Sequence, residues 1–253
     1  MNGEITQNRS LAGSFLSCAV THRGAVRTSN QDAFVNRPDL GLWAVADGAG
    51  GHRSGEIASE EVRRALEGIP PGLPALAVLG QVRARLETAH LVLRARVTSL
   101  GPRVQIATTV VVMVVQDGHF ACLWAGDSRA YLLRQGELIQ VSRDHSVVED
   151  LIESGAITAA QAMGHPLSNV VTRAVGAEID ALRLDKRSGR VLPGDCLLLC
   201  SDGLCKALTD ARIAELLAIH RGEAAEPLVR AALDAKATDN VTAVTVQLGG
   251  EAA

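Results

Sequence analysis

Hydrophobic and polar positions change their spacing along the chain, and these changes predict its secondary structure. Ser14 to Val20 and Leu42 to Ala46 are short apolar runs of strand length. Ser54 to Leu66 and Ala75 to Val97 instead place apolar residues at helical spacing, with charged residues between them. This part of the chain therefore predicts two strands followed by two helices, the second of them long.

The middle of the chain is rich in β-branched residues and in turn-forming dipeptides. Thr108 to Val115 and His119 to Ala125 flank Asp117-Gly118, which is a strong hairpin signal. Arg129 to Arg134 and Glu137 to Val141 flank a second short turn. Consecutive strands joined by short turns predict an antiparallel meander.

The rest of the chain combines short helical turns, strands and longer helices. Asp144 to Gly176 contains glycine and proline breakers between short helical turns. Asp195 to Ser201 and Asn240 to Leu248 have strand patterns, and Asp210 to Ala235 has the pattern of one or two helices. Strands and helices in separate blocks indicate an α+β fold rather than a chain of βαβ units. Because no repeat or linker is present, residues 1–253 are predicted to form a single domain.

The composition of the 253 residues is that of a globular protein. Apolar residues make up 47% and charged residues 21%, which excludes a disordered chain. The net charge of -3 comes without basic clusters, so we expect no nucleic-acid partner. The apolar runs are shorter than the about 20 residues of a membrane helix, and Met1 to Ser10 has no secretory-signal pattern. We therefore expect a cytoplasmic protein that does not bind membranes.

The cysteines lie mostly within apolar runs, where a thiol packs as a small hydrophobic group. They are Cys18, Cys122, Cys196, Cys200 and Cys205. Their odd number and their surroundings predict that all five are reduced.

Three aspartates occur at the ends of predicted strands. Asp47 and Asp202 directly follow strands, and Asp239 directly precedes one. Strand ends can hold side chains from distant parts of a sequence at one point. Clustered carboxylates repel one another, and oxygen donors favour a hard ion such as Mg²⁺ or Mn²⁺. Asp-Gly and Asp-Asn pairs also occur in ordinary turns, so the pattern alone leaves both a metal site and simple turns open.

A further segment, Arg27 to Asp32, contains an arginine whose planar fork matches two phosphate oxygens. With this segment, the chain resembles the metal-dependent Ser/Thr protein phosphatases, the PPM or protein phosphatase 2C type, in their bacterial stand-alone form. The resemblance extends from Ala19 to Leu248. The matching segments are Arg27 to Asp32, Val45 to His52, Gly55-Glu56, Ala58-Ser59, Thr108-Thr109, Ala125 to Arg129, Arg143 to Ser146, Val171 to Gly176, Leu199 to Leu204 and Asp239 to Thr242. One such motif is weak evidence, but so many in the same order are specific.

The resemblance implies a role for each matched residue at a metal site. Asp47 would bridge two metal ions, and the carbonyl oxygen of Gly48 would bind one of them. Asp202 and Asp239 would complete the site, which is expected to hold Mn²⁺ or Mg²⁺. Asp127 would share a third ion with Asp202.

Two more residues are implied to act beside the ions. Asp32 would hold metal-bound waters, and Arg27 would grip the substrate phosphate. A hydroxide that bridges the ions would attack phosphorus in line, which requires no covalent intermediate. The implied function is hydrolysis of phosphoserine and phosphothreonine by a monomer. The implied partners are phosphorylated proteins, among them a Ser/Thr kinase and its targets.

The resemblance also implies a fold and two special segments. The fold would be two antiparallel sheets packed as a central sandwich flanked by helices, a four-layer αββα arrangement. Residues 144–171 match the mobile flap that lies beside the cleft in this family, and residues 1–13 are expected to be a flexible tail.

One position departs from the family pattern. Many relatives have His or Met directly after Asp-Gly, where this chain has Ala49. Where His is present it is thought to protonate the leaving group, so no general acid is assigned here. His52 is expected to cap or buttress its loop, and His145 to be a flap or strand-end residue.

Two other functions stay open at this point. A non-catalytic binding module of the same fold would require the loss of a metal ligand, and the sequence retains every ligand that the resemblance implies. A hydrolase of small phosphoesters would use the same metal site, because the motifs define only the phosphate end of the cleft.

Overall fold

The computed structural model describes residues 6–12, 15–50, 54–100, 104–162, 164–177 and 181–249, and the structural statements below concern these residues. Its centre consists of two six-stranded sheets. From edge to edge, the first sheet contains β1 (Thr6–Ala12), β2 (Phe15–His22), β12 (Val241–Leu248), β11 (Cys196–Cys200), β8 (Arg129–Arg134) and β9 (Glu137–Gln140).

The second sheet lies against the first. In spatial order it contains β10 (Asp185–Arg190), β7 (His119–Ala125), β6 (Val110–Gln116), β4 (Leu42–Ala49) and β3 (Asp32–Arg37), and the short β5 (Ala107–Thr108) pairs with the end of β4. The strand pairs in both sheets are antiparallel.

Helices cover the outer faces of the two sheets. Against the second sheet lie α1 (Ser54–Glu67) and α2 (Ala75–Leu100), and against the first lie α5 (Asp202–Ala207), α6 (Asp210–His220) and α7 (Ala225–Asp234). Two short helices, α3 (Val147–Glu153) and α4 (Ala159–Ala162), lie between β9 and β10, and 3₁₀ turns occur at Pro38–Leu40 and Arg221–Glu223. In the part of the chain that the structure describes, no helix combines the length and the apolar character needed to cross a membrane.

Strand β6 illustrates why the central strands read as uninterrupted apolar runs. Val111 and Met113 belong to the core between the sheets, together with Trp43 of β4. Val112 and Val114 belong to the core between the second sheet and the helices. Both faces of a central strand are therefore buried, which removes the polar alternation of a half-exposed strand. The predicted α+β sandwich of αββα layers is confirmed.

The expected flexible tail over residues 1–13 is wrong for residues 6–12. These residues form β1 and pair with β2 in register from Thr6 opposite Thr21 to Ala12 opposite Phe15. Backbone hydrogen bonds to the edge of a sheet need no apolar side-chain pattern, so no strand was predicted here. Residues 1–5 and 13 lie outside the described residues.

The predicted meander is also wrong. The hairpin of β6 and β7 belongs to the second sheet, whereas the hairpin of β8 and β9 belongs to the first. The connection through Gly126, Asp127 and Ser128 crosses from one sheet to the other. Because both faces of these strands are largely buried, hydrophobic pattern does not reveal which sheet a strand joins.

Two strands that the sequence pattern did not reveal are β3 and β10. They form the two edges of the second sheet, and the side chains of β10 are mostly exposed. Edge strands often carry polar residues, so they lack the apolar signature of the central strands.

Candidate metal centre

Carboxylates from both sheets meet at one end of the sandwich. Asp32 begins β3 and is paired in register with Asp47 near the end of β4. Asp127 lies in the crossing between the sheets, and Asp202 begins α5 directly after β11. Asp239 precedes β12, the neighbour of β11. The fold therefore brings together the five aspartates that the sequence singled out.

The proximity of these carboxylates changes their acidity. The pKa of Asp47 is raised well above its usual range, first by burial and then by the charge of Asp32, followed by the charges of Asp202 and Asp127. Burial raises the pKa of Asp32 to about 7 although a hydrogen bond from Thr242 opposes it. Burial, followed by the charge of Asp202, raises the pKa of Asp127 to about 7 as well. Such shifts mean that negative charges repel at this point, which a bound cation would relieve.

Asp32 has one buried oxygen left over. Its Oδ2 accepts a hydrogen bond from Thr242 Oγ1 at 2.7 Å. Its Oδ1 is buried and has no hydrogen-bond partner among the described residues. A buried acceptor without a donor is costly, so Oδ1 fits a water molecule held beside a cation.

Arg27 is bound to one of the aspartates. Its Nε and Nη2 each donate a hydrogen bond of 2.8 Å to the two carboxylate oxygens of Asp239. Burial would raise the pKa of Asp239, but hydrogen bonds from Arg27 and from the backbone N–H of Asn240 outweigh it and lower that pKa. The side chain of Arg27 is 57% exposed, and its pair with Asp239 uses Nε and Nη2 only. The Nη1 group therefore donates no hydrogen bond to Asp239.

Lys206 pairs with a second aspartate. It lies one turn after Asp202 in α5, and its Nζ donates to Asp202 Oδ2. The charges of Asp202 and Asp127 raise the pKa of Lys206, although burial acts first and in the opposite direction. Lys206 was not predicted as a site residue, because the six-residue α5 was not predicted and the four-residue spacing from Asp202 indicates a contact only within a helix.

The end of β4 is held tightly in place. The carbonyl of Asp47 accepts hydrogen bonds from Thr109 N and Thr108 Oγ1, both at 2.9 Å. A Cβ at Gly48 would lie 2.2 Å from the carbonyl oxygen of Gly55 at the start of α1. Only glycine permits this approach, which sets the position of the Gly48 carbonyl.

Asn240 fastens the loop before β3 to the start of β12. Its Nδ2 donates to the carbonyls of Arg23 and Ser29 at 3.0 Å, and its Oδ1 accepts from Gln31 N at 2.8 Å. The loop that carries Arg27 is thereby fixed beside Asp239. The sequence motif contains Asn240, but only the structure reveals this function.

The segment predicted as a flap begins at an ion pair. Arg129 donates from Nε and Nη2 to the carboxylate of Asp144 at 2.9 and 2.8 Å. Beyond it lies a cavity of about 620 Å³, bordered by Asp127, Asp202 and Lys206 on one side and by α3 and α4 on the other. The cavity places an open cleft directly beside the carboxylates.

Of the two histidines considered in the sequence, the structure describes His145, which lies beside Asp185. His145 Nε2 lies 3.1 Å from Asp185 Oδ2. The His145 ring stacks on Trp124 with a centroid distance of 6.1 Å, and its Nδ1 accepts from Gly126 N at 3.2 Å. These contacts agree with a role at the strand end. His52 lies outside the described residues.

The donor chemistry of this site fits a hard divalent cation. The side chains are carboxylates, and Gly48, whose carbonyl is the expected backbone donor, directly follows Asp47. As they stand, however, no three His, Cys, Asp or Glu side chains in the described residues are arranged to hold an ion. Arg27 and Lys206 occupy oxygens of Asp239 and Asp202, so binding of a cation requires these two carboxylates to reorient.

Comparison with known proteins identifies the family. The family model described as Protein phosphatase 2C matches residues 21–236. The chain belongs to the protein phosphatase 2C family. The resemblance inferred from the motifs is thereby confirmed.

Individual members of the protein phosphatase 2C family support the assignment. PstP, a serine/threonine protein phosphatase of Mycobacterium tuberculosis (strain H37Rv), is 35% identical over 232 residues, which are 91% of this chain and 44% of PstP. The chain thus spans less than half the length of this curated relative.

Two solved structures are also similar to this protein phosphatase 2C chain. PppA, a key regulatory component of T6SS in Pseudomonas aeruginosa, is 38% identical with a TM-score of 0.86, and the match covers 93% of this chain and 98% of PppA. The catalytic domain of PstP in complex with two manganese ions is 33% identical with a TM-score of 0.79, over 93% of this chain and 99% of that domain.

Proposed function

We propose that this chain is a metal-dependent phosphatase that hydrolyses phosphoserine and phosphothreonine in proteins. The observation that carries the proposal is the convergence of Asp32, Asp47, Asp127, Asp202 and Asp239 beside an open cleft. The names of the relatives, serine/threonine protein phosphatases, support the same reaction. These names refer to the complete relatives, and the match covers 44% of PstP.

The first group of residues would hold the metal ions. Asp47, the Gly48 carbonyl, Asp202 and Asp239 would hold two ions, which is the number in the PstP structure. Mn²⁺ or Mg²⁺ bound there supplies an activated water and neutralises the charge of the phosphate. A third ion would be held by Asp127 together with Asp202.

The remaining residues orient water and substrate. Asp32 Oδ1, which is buried and unpartnered, accepts a hydrogen bond from the attacking water. Arg27, whose Nη1 is not used in its pair with Asp239, would offer this side of its guanidinium to a phosphate oxygen. The leaving group's proton donor is not assigned to a residue, because Ala49 has no titratable side chain.

We further propose the setting in which the enzyme works. Residues 1–253 act as one monomeric catalytic domain in the cytoplasm, with residues 144–171 as the flap over the cleft. The substrates are phosphorylated proteins, including a Ser/Thr kinase and its targets. The cavity between the carboxylates and α3 is large enough for the phosphorylated side chain of a peptide.

Turnover of two substrates tests the proposal. With added Mn²⁺, a phosphothreonine peptide should be hydrolysed with a higher kcat/KM than a sugar phosphate, and a chelator should abolish both reactions. Equal or better turnover of the sugar phosphate would favour a small-phosphoester hydrolase. Loss of all turnover with Mn²⁺ still bound would favour the non-catalytic module.

Arg27→Ala tests the phosphate contact. A hydrogen bond between charged groups contributes about 1.5–3 kcal/mol, so KM for the peptide should rise by about 10-fold or more. Arg230→Ala removes an equally charged and exposed arginine from α7, where it pairs only locally with Glu226, and should change neither kcat nor KM. Unchanged kinetics in Arg27→Ala would exclude the contact.

A further inference from the structure

Two cysteine sulfurs lie close together next to the metal centre. The Sγ atoms of Cys200 and Cys205 are 3.4 Å apart, and both residues are free thiols. Cys200 is the last residue of β11 and is fully buried. Cys205 lies in α5, is partly exposed and borders the same cavity as Asp202 and Lys206. Of the two cysteines, Cys205 is therefore the one that adjoins the cleft.

The surroundings of Cys205 differ from those of the other cysteines. The Cys205 Sγ lies 3.5 Å from the hydroxyl oxygen of Tyr131, to which Arg129 donates a hydrogen bond at 3.1 Å. Cys122 is buried in the middle of β7 and Cys196 is buried at the start of β11, and burial raises the pKa of the Cys196 thiol to about 12. A thiol held in its neutral form reacts slowly with oxidants.

We propose that Cys205 and Cys200 form a peroxide-sensitive oxidation site whose product is an intrachain disulfide that lowers the activity of the metal centre. Formation of the disulfide rests on the geometry of the two sulfurs alone. The effect on activity rests, in addition, on the function proposed above.

The reaction needs only hydrogen peroxide as co-reactant. The Cys205 sulfur attacks one peroxide oxygen, the O–O bond breaks, and water leaves with the thiol proton, which produces a sulfenic acid at Cys205. The Cys200 sulfur then attacks the Cys205 sulfur, the S–O bond breaks, and a second water carries away the hydroxyl group and the Cys200 proton. The two sulfurs together lose two electrons, and the peroxide gains them.

The position of Asp202 explains the effect on activity. It lies in the short segment between the two cysteines, immediately after β11. A disulfide bond is about 2.05 Å long, so the sulfurs must move together from 3.4 Å. Cys200 is held between two neighbouring strands, opposite Ala243 of β12 and Arg129 of β8. We therefore expect α5, which contains Asp202 and Lys206, to move when the disulfide forms.

Peptide mapping after oxidation tests the site itself. The reduced full-length chain, without added metal, is treated with hydrogen peroxide, freed of peroxide, alkylated and analysed by mass spectrometry. We expect a peptide pair that joins Cys200 to Cys205 with the loss of two hydrogen atoms. Absence of this cross-link, or oxidation of Cys205 to a sulfinic acid with Cys200 still alkylated, would overturn the oxidation site.

Turnover measurements test the consequence. Displacement of a catalytic group by about 1 Å can cost about 100-fold in rate, so oxidised protein should lose a comparable share of its Mn²⁺-dependent phosphothreonine-peptide turnover. Dithiothreitol should restore the activity. An oxidised chain that carries the cross-link but keeps full turnover would overturn the inhibitory effect.

Three variants separate the pair from general oxidative damage. Cys205→Ser and Cys200→Ser should each keep their turnover after peroxide treatment, whereas Cys122→Ser should lose it as the unaltered chain does. Equal loss in Cys205→Ser would overturn the assignment. If the reduced chain has no turnover at all, the proposed phosphatase function fails, while the cross-link map still decides the oxidation site.

Discussion

Individual side chains at the metal centre already neutralise one another. Arg27 pairs with Asp239 and Lys206 pairs with Asp202, so two of the aspartates have cationic partners within the chain. Asp32 and Asp47 have no such ion pair among the described salt bridges, and the pKa of each is raised. A divalent cation therefore gains most from the carboxylates that lack a basic partner and must displace a basic group from the other two.

Asp202→Asn and Asp239→Asn should each reduce turnover by about 100-fold or more, because the change removes ligand charge but hardly any volume. Mn²⁺ affinity measured by calorimetry should fall in parallel, and circular dichroism should remain unchanged. Asp234→Asn, at the exposed end of α7, removes the same charge away from the site and is the matched control. Near-normal affinity and turnover in either site variant would place the metal centre elsewhere.

At this scale the sequence predicted the acidic residues but not their partners. Asp47, Asp202 and Asp239 are recognisable because each adjoins an apolar strand. Their ion pairs were not predictable, because the partner of Asp239 lies 212 positions away and the pair of Asp202 depends on an unpredicted short helix.

Ion pairs of two arginines attach the flap, residues 144–171, to the rest of the fold. The ion pair of Arg129 and Asp144 links β8 to the start of the flap, and both side chains are largely buried. Arg143, one residue before Asp144, instead makes exposed pairs with Glu149 and Glu153 of α3. The two arginines therefore differ in environment although both attach the same segment.

Arg129→Gln should lower the free energy of unfolding by about 2 kcal/mol, because hydrogen bonds to a charged, buried carboxylate are lost. Arg143→Gln should leave the stability nearly unchanged, because exposed ion pairs contribute little. Urea denaturation of both variants measures the difference. Equal midpoints for the two variants would contradict the anchoring role of Arg129.

Gly203 determines how closely α5 approaches β12. A Cβ at this position would lie 2.0 Å from the backbone oxygen of Asn240. Gly203→Ala should destabilise the chain by about 1–3 kcal/mol, because the backbone must shift. Gly80 lies inside α2, and no atom lies within 4 Å of a Cβ added there. Gly80→Ala should therefore stabilise the folded chain by about 0.5–1 kcal/mol. Thermal unfolding distinguishes the signs, and destabilisation of similar size in both variants would contradict the close-approach argument.

The elements themselves were predictable where hydrophobic spacing is strong. The helix predicted over Ser54 to Leu66 is observed at Ser54–Glu67, and β7 and β8 have the predicted bounds. The edge strands β3 and β10 escaped prediction because polar residues occupy an edge without cost. The assignment of neighbouring hairpins to different sheets depends on long-range packing, which local pattern does not encode.

The whole molecule concentrates negative charge at one end of the sandwich. Mutual repulsion there contributes to the raised pKa values of Asp32, Asp47 and Asp127. A ligand that binds only the folded chain stabilises it in proportion to the logarithm of its concentration. Metal binding should therefore be visible in the stability of the entire protein.

Saturating Mn²⁺, at about 100 times its dissociation constant, should raise the melting temperature by about 5–10 °C. A chelator should reverse the shift, and Asp202→Asn should greatly reduce it. Differential scanning calorimetry measures the effect independently of catalysis. An unchanged melting temperature at saturating Mn²⁺ would contradict a metal centre formed by these aspartates.

The place of β12 in the first sheet has a consequence for biosynthesis. This strand is the last in the described chain, yet it lies between β2 and β11 and pairs with β2 from Val241 opposite His22 to Leu248 opposite Phe15. On the ribosome, β2 cannot be joined to β11 through β12 before β12 has left the exit tunnel. Until then, the edge of β2 that pairs with β12 has no partner strand. Asp239 emerges just ahead of β12, and a nascent chain therefore acquires its catalytic centre only as its last strand is inserted.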